Sequence, residues 1–322
     1  MNTFTWLVKR EYWEHRGGFK WVPLITGGVL VLMIAFALVI GLMTANRHGI
    51  VVGNLNLDAV SRAATPEQLK EVGAAINVSL YMLALPISAL LGIVSFFYLL
   101  GSLYDERRDR SILFWKSLPV SDVATVLSKV VTVTLVAPAL ALIATFATLL
   151  VFLVLLSIVF AIYGINPFTT LWLNASPLSV MVKLVALVPI NAIWALPTIG
   201  WLMLCSAFAR RVPFLWAVLI PVGTGTVLAI YDSINNLSVP SSWFWENIVA
   251  RILLSIMPGG WIDLEHVGRT MERAVSPTDV ATAVNTTGIV HALSMPTLWI
   301  GAVAGAGMIA GAIWLRRWRD DS

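Results

Sequence analysis

Apolar residues in this chain do not alternate with polar ones; they come in long, nearly unbroken runs separated by short clusters of charge. Such runs match the roughly 20 residues that carry a helix across about 30 Å of hydrocarbon. Six are present: Val22–Ala45, Ala74–Leu103, Val130–Tyr163, Leu184–Phe208, Val212–Tyr231 and Met295–Leu315. Each is predicted to be helical, because a backbone in lipid has no water to bond and must satisfy its own N–H and C=O groups. The third run is too long to cross upright, so it is predicted to bend near Pro138 and to project past the far leaflet. One stretch breaks the pattern. In "WFWENIVARILLSIMPGGW" (Trp243 to Trp261) the apolar helical run Ile248–Met257 is too short to span and is closed by Pro258, Gly259 and Gly260. It reads as a re-entrant helix or as an interfacial helix on the outer ends of the bundle, within a helical segment of about 241–275.

Composition agrees with the pattern. Of 322 residues, 58% are hydrophobic and 12% charged, against about 25% charged in a soluble domain. The fold class is therefore an all-α polytopic membrane protein with six transmembrane helices. Residues 1–21 form a helix ahead of the first span, and 22–322 form a single transmembrane domain. The net charge is +4, but the basic residues flank spans, where membrane orientation rather than nucleic acid accounts for them. Lys9, Arg10, Arg16, Lys20, Arg107, Arg108, Arg110, Lys116, Lys129, Arg210, Arg211, Arg316, Arg317 and Arg319 crowd one side. Arg47, Arg62, Lys70, Lys183, Arg251, Arg269 and Arg273 are spread thinly on the other. The positive-inside rule then puts both termini in the cytoplasm. Trp21, Trp314 and Trp318 suit the inner interface, Trp172 and Trp299 the outer. The first run is longer than a signal-peptide core and follows Glu11 and Glu14, so it is expected to be retained. The single cysteine, Cys205, lies in an apolar run and allows no intrachain disulfide.

The chemistry that is missing narrows the function. No G-x-x-x-x-G-K-[ST] motif occurs, so the chain has no phosphate-cradling loop. His15, His48, His266 and His291 are scattered. Asp263-Leu-Glu-His266 reads as a solvated face, because zinc needs three or four converging ligands. No metal and no catalytic residue is expected, and the chain is not read as an enzyme. The six runs contain no Asp, Glu, Lys, Arg or His. Lys183 and Asp232 sit at span edges, and Asn191 is the strongest polar side chain deep inside. Ion-coupled carriers use ionisable groups at membrane depth, so energy for any uphill transport is expected from outside this chain.

The linker "YDERRDRSILFWKSLPVSD" (Tyr104 to Asp122) offers a handle for such energy. Residues Ser111–Leu118 suit two helical turns with Phe114, Trp115 and Leu118 on one face. Arg107, Arg108 and Arg110 can snorkel to phosphates, Pro119 ends the turn, and Ser121 or Asp122 can cap the next helix. A partnerless interfacial loop, its aromatics resting in the headgroups, is the plainer alternative. The stretch Glu106–Lys129 resembles the second cytoplasmic linker of ABC-2 type export permeases. In that family a Glu-Arg pair, a spacer, a short leucine-rich helix and a Ser-Pro or Leu-Pro step precede a downstream lysine. The family's linker often has Gly-Thr where this chain has Arg110 and Ser111. The resemblance implies a coupling helix at about 109–119, with Glu106, Arg107, Ser111, Ile112, Leu113, Phe114, Trp115, Lys116, Leu118 and Pro119 engaging a separate P-loop ATPase. It implies no cofactor in this chain, ATP and Mg on the partner, a homodimer of this chain, and a bacterial cytoplasmic (inner) membrane. "LVKREYWEHR" (Leu7 to Arg16) resembles the family's N-terminal interface helix on membrane lipid, with Lys9, Arg10 and Glu11, although Glu11 interrupts the apolar face of Phe4, Leu7, Val8 and Tyr12.

Three further features carry expectations. Gly301-x-x-x-Gly305 and Gly307-x-x-x-Gly311 permit close helix approach, to a neighbour in the bundle or to a second copy. Asn191, Trp194 and Trp201 can line a substrate path, or serve as core or lipid-facing packing. Gly223 and Gly225, after Pro221, suit a hinge or a tight contact. The expected function is the permease subunit of an ATP-driven exporter with an amphipathic or hydrophobic substrate. The alternatives are a non-transporting subunit that passes ATPase motion to an outer partner, and a secondary carrier.

Overall fold

The computed structural model describes residues 3–47, 65–110, 120–235, 241–261 and 293–318. Helix α1 (Thr3–Glu14) leads through a π-helical turn at Gly17–Trp21 into α2 (Val22–Arg47). Then follow α3 (Pro66–Ser102), α4 (Tyr104–Arg108), α5 (Asp122–Val131), α6 (Ala137–Ile162), α7 (Pro177–Phe208) and α8 (Pro213–Asn235). Two short helices, α9 (Ser241–Phe244) and α10 (Ala250–Leu254), precede the last, α11 (Pro296–Trp318). No strand occurs among the described residues. Six helices are long and apolar enough to cross a membrane: Gly17–Thr44, Pro66–Arg108, Asp122–Ile162, Phe168–Phe208, Pro213–Ile234 and Pro296–Trp318.

Several of these extend beyond the apolar runs, because a helix ends where it is capped rather than where its hydrophobicity stops. At the start of α3 the Thr65 hydroxyl accepts from the Gln68 amide, and the Gln68 side chain accepts from the Thr65 amide. Pro66 sits where no N–H is needed. The 37 residues of α3 therefore reach about 55 Å, well past a bilayer core. In α5 the cap is Ser121, whose hydroxyl accepts from the Ala124 amide at 3.1 Å. The third span stays one continuous helix through Pro138. A π-helical turn at Thr132–Val136 lies directly before it, widening the backbone where the proline ring crowds the preceding turn.

Packing centres on α3, α5, α6, α7 and α11, with Phe19, Ile87, Leu99, Leu103, Val126, Ile199, Leu202 and Met203 buried together. A second apolar cluster, including Leu80, Leu149, Leu153 and Leu171, holds the far end, opposite the chain termini. The glycines of α11 pack against α7 of the same chain. A Cβ on Gly305 would lie 2.4 Å from the Leu196 carbonyl, and one on Gly200 would lie 2.4 Å from that of Gly305. Gly301 abuts Pro197 and Arg251, Gly311 abuts Leu204, and Gly307 faces open space among the described residues. Gly225 sits against the Trp245 ring, whereas a Cβ on Gly223 would meet nothing within 4 Å among the described residues. Large apolar side chains such as Leu32, Phe36, Phe97, Val227 and Val303 cover the outer surface of the spans, as lipid contact requires. Trp21, Trp172, Trp299, Trp314 and Trp318 are all exposed.

Candidate functional site

The first turns of the chain and the last turn of α11 meet at one end of the bundle, beside the linker between α4 and α5. Helix α1 turns Leu7 and Glu11 inward, four residues apart and so on one face. Its opposite side carries exposed Trp6 and Trp13, with the Lys9 ammonium 4.8 and 4.9 Å from their ring centroids. The structure therefore changes the meaning of Glu11. It does not interrupt a face laid on lipid; it is fully buried in the protein.

Its partners come from far along the chain. The Tyr98 hydroxyl donates to Glu11 Oε2 at 2.8 Å, Lys129 Nζ donates to Oε1 at 3.0 Å, and the neighbouring Arg10 guanidinium closes on the same oxygen. Burial by itself would push the Glu11 carboxyl up. Lys129, Arg10 and the hydrogen bonds from Arg10 and Tyr98 outweigh it and hold the carboxyl at about 2.

Lys129 also reaches Glu106 Oε1 at 3.0 Å, and Arg10 Nη2 approaches the same oxygen at 3.5 Å. The other Glu106 oxygen accepts from Arg316, whose Nε donates to Asp122 Oδ1 at 2.9 Å. Glu11, Glu106 and Asp122 thus form one connected cluster with Arg10, Lys129 and Arg316, drawn from α1, α4, α5 and α11, and Glu14 adds a contact to Arg10 Nε at 3.9 Å. Lys129 and Arg316 are almost wholly enclosed. Burying charge costs several kcal/mol per ion unless it is paired, so losing any one member leaves a buried partner under-compensated. Glu11, Glu14 and His15 bring ligand atoms within 4.8 Å of one another. Both Glu11 oxygens, however, are already engaged by these donors.

A second set of contacts ties α4 to α7. Ser206 Oγ accepts from the amides of Leu103 and Tyr104, both at 3.0 Å, where α3 breaks before α4. Arg107 Nη2 donates to the carbonyls of Ser206 at 2.6 Å and Ala209 at 2.9 Å, groups at a helix C-terminus that lack partners within the helix.

Of the sequence-predicted site, Glu106 and Arg107 therefore anchor the linker's start and Asp122 its end. Ser111, Ile112, Leu113, Phe114, Trp115, Lys116, Leu118 and Pro119 lie outside the described residues, as do Asp263–His266 and the outer segment beyond 261. Sequence reasoning missed the pairing of Lys129 and Arg316 and the role of Tyr98. The available signal was a lone lysine opening an apolar run and an arginine closing one.

Asn191, Trp194 and Trp201 do not form one wall. Asn191 Oδ1 accepts from Trp261 Nε1 at 2.8 Å, while Trp201 Nε1 donates to the Ala217 carbonyl of α8 at 2.9 Å. Trp194 is buried beneath the Arg251 guanidinium, which lies 3.2 Å from its ring centroid. The spans contribute no charged side chain to their apolar interiors, but the segment before α11 brings Arg251 against α7 and the first turn of α11. That segment enters the bundle as far as Gly92, in the last third of α3, where Ile256 and Met257 pack. Compared with protein-family models, with curated proteins and with solved structures, the chain matches none.

Proposed function

We propose that this chain is the membrane subunit of an ATP-driven exporter of the ABC-2 kind, moved by a separate P-loop ATPase that docks on residues 111–119. What carries the proposal is the way both ends of that linker enter one charge cluster. Arg316 touches Glu106 on one side of the linker and Asp122 on the other, while Lys129 joins Glu106 to Glu11. A displacement of the linker must then move α5, and the Asp122–Ile162 span it begins, or break buried ion pairs. Through Arg316 and Glu11 the same force reaches α11 and α1. A linker anchored this way suits a mechanical input better than a partnerless loop does.

Local geometry supports the resemblance as well. Arg110 has φ +56°, a left-handed conformation for which glycine is the default residue, and the family pattern often has glycine there. The outward Trp6, Lys9 and Trp13 face of α1 suits an interface helix on the cytoplasmic leaflet. The segment reaching Gly92 suits a re-entrant hairpin entering from the outer side. In this scheme the protein is a homodimer in the bacterial inner membrane with both termini cytoplasmic. Its substrate is amphipathic or hydrophobic, and ATP and Mg belong to the partner.

The test is co-purification with any P-loop ATPase found encoded beside this gene, followed by ATP-dependent flux in reconstituted vesicles. Phe114→Asp and Trp115→Ala are expected to reduce both assembly and flux. Undiminished assembly and transport in both variants would remove the docking claim. Assembly and ATP turnover without cargo flux would favour a subunit that only transmits motion.

A further inference from the structure

Arg251 lies where α10 meets the middle of α7 and the first turn of α11, away from the buried charge cluster. Its Nη1 donates to Ser255 Oγ at 3.2 Å and points at the Trp194 carbonyl at 3.4 Å; its Nη2 donates to the Thr297 carbonyl at 3.2 Å. Those contacts use three of the five N–H groups a guanidinium carries. The Nε–H and one Nη2–H, which lie along one edge of the fork, find no acceptor among the described residues. No carboxylate pairs Arg251 among the described residues either, in contrast to Arg10, Lys129 and Arg316 of the buried cluster, each of which meets an acid.

The charge is only partly offset. The Trp194 face beneath it supplies a cation–π attraction, which recovers a fraction of what it costs to withdraw an arginine from water. The neighbouring N-terminus of α11 adds positive potential rather than relieving it. The guanidinium is also held rigidly. Its plane is set by the indole, its reach by Gly301, where a Cβ would come within 2.7 Å of Nη2, and the Arg251 backbone by Thr198, whose hydroxyl donates to the Arg251 carbonyl at 3.0 Å. A fixed, partly exposed guanidinium with a free edge binds a planar or tetrahedral oxyanion through two parallel hydrogen bonds.

The surroundings select an anion with an apolar tail. Leu254, three residues on and so on the same side of the helix, is exposed, as are Trp299, Ile300 and Val303 on α11. The Thr297 carbonyl lies in the first turn of a membrane-spanning helix, the level at which lipid phosphates sit.

We infer that Arg251, mounted on Trp194 between α7, α10 and α11, is a binding site for the anionic phosphate group of an amphiphile at the far membrane surface. The site stands whether or not an ATPase drives this chain. Sequence reading assigned Arg251 only to the weakly basic side of the membrane; the stacking on Trp194 and the unused edge appear only in the folded chain.

The test uses the full chain in neutral detergent, examined by native mass spectrometry during titration with phosphatidic acid, phosphatidylcholine of the same acyl chains, or inorganic phosphate. Wild type should retain phosphatidic acid over phosphatidylcholine. Arg251→Gln should weaken that retention about tenfold, the loss of a charge-assisted contact, and Arg251→Lys should recover only part of it, because an ammonium keeps the charge but not the planar fork. Competition by inorganic phosphate at equal concentration would make the headgroup chemistry sufficient; failure to compete would make the tail part of the recognition. In wild type alone, a photoreactive phosphatidic acid should label peptides containing 251–261 or 296–301, which keeps the inference testable if Arg251→Gln misfolds. Equal retention of both lipids, unchanged retention in a folded Arg251→Gln chain, or labelling confined to the Lys9, Lys20 and Arg317 end would overturn it.

Discussion

Replacing Lys129 with methionine removes the cation that joins two buried acids while nearly preserving side-chain volume. Lys129 Nζ is 3.0 Å from both Glu11 and Glu106, and its side chain is 3% exposed. Breaking a buried pair by removing one partner costs about 3–5 kcal/mol. Here Arg10 still faces Glu11, Arg316 still faces Glu106, and Glu106 is 11% exposed, so about 3 kcal/mol is the better expectation. At about 2–4 °C per kcal/mol for a chain of this order of size, the midpoint should fall by roughly 6–12 °C. The readout is the fraction remaining monodisperse by size-exclusion chromatography after heating in detergent. The decisive comparison is the double variant with Glu11→Gln. Glu11→Gln alone discards a carboxylate that Lys129 and Arg10 stabilise and is itself destabilising. In the Lys129→Met background the same change removes an under-compensated charge. The double variant should therefore be less damaged than the sum of the singles by about 2 kcal/mol. Strictly additive effects, or a Lys129→Met midpoint equal to wild type, would refute the buried cluster as the tie between α1, α4 and α5.

Two further outcomes follow from the same packing. Because the Glu11 carboxyl is held at about 2 against an ordinary value of 4.5, its stabilisation is fully present above pH 4.5. It is lost as pH falls from 4.5 through 2. Thermal midpoints measured across that range should drop more steeply for wild type than for Glu11→Gln, and parallel curves would contradict the assignment. In α11, Gly305→Ala must displace the Leu196 backbone, only 2.4 Å from the new methyl group, and should cost about 1–3 kcal/mol. Gly307→Ala meets nothing within 4 Å and should be neutral or stabilising by up to about 1 kcal/mol; equal effects at the two positions in the same heating assay would show that α11 does not pack on α7 through Gly305.

Hydropathy alone determined much about this protein. Apolar runs such as Val22–Ala45 and Val130–Tyr163 each demand a helix in lipid whatever their neighbours do, so the six long helices were readable locally. The Ser121 cap was readable for the same reason, since it depends on residues within a few positions. Helix ends were less legible, because the Thr65 cap that starts α3 lies outside the apolar run. Tertiary structure decided the rest. Lys129 meets Glu11 across 118 positions and Arg316 meets Glu106 across 210, distances over which no periodicity carries information. Glu11 looked like a flaw in an apolar face, and Arg251 looked like an ordinary outer charge. Only packing turned one toward a lysine and laid the other on a tryptophan, because the cost of burying a charge is set by what the fold brings to meet it.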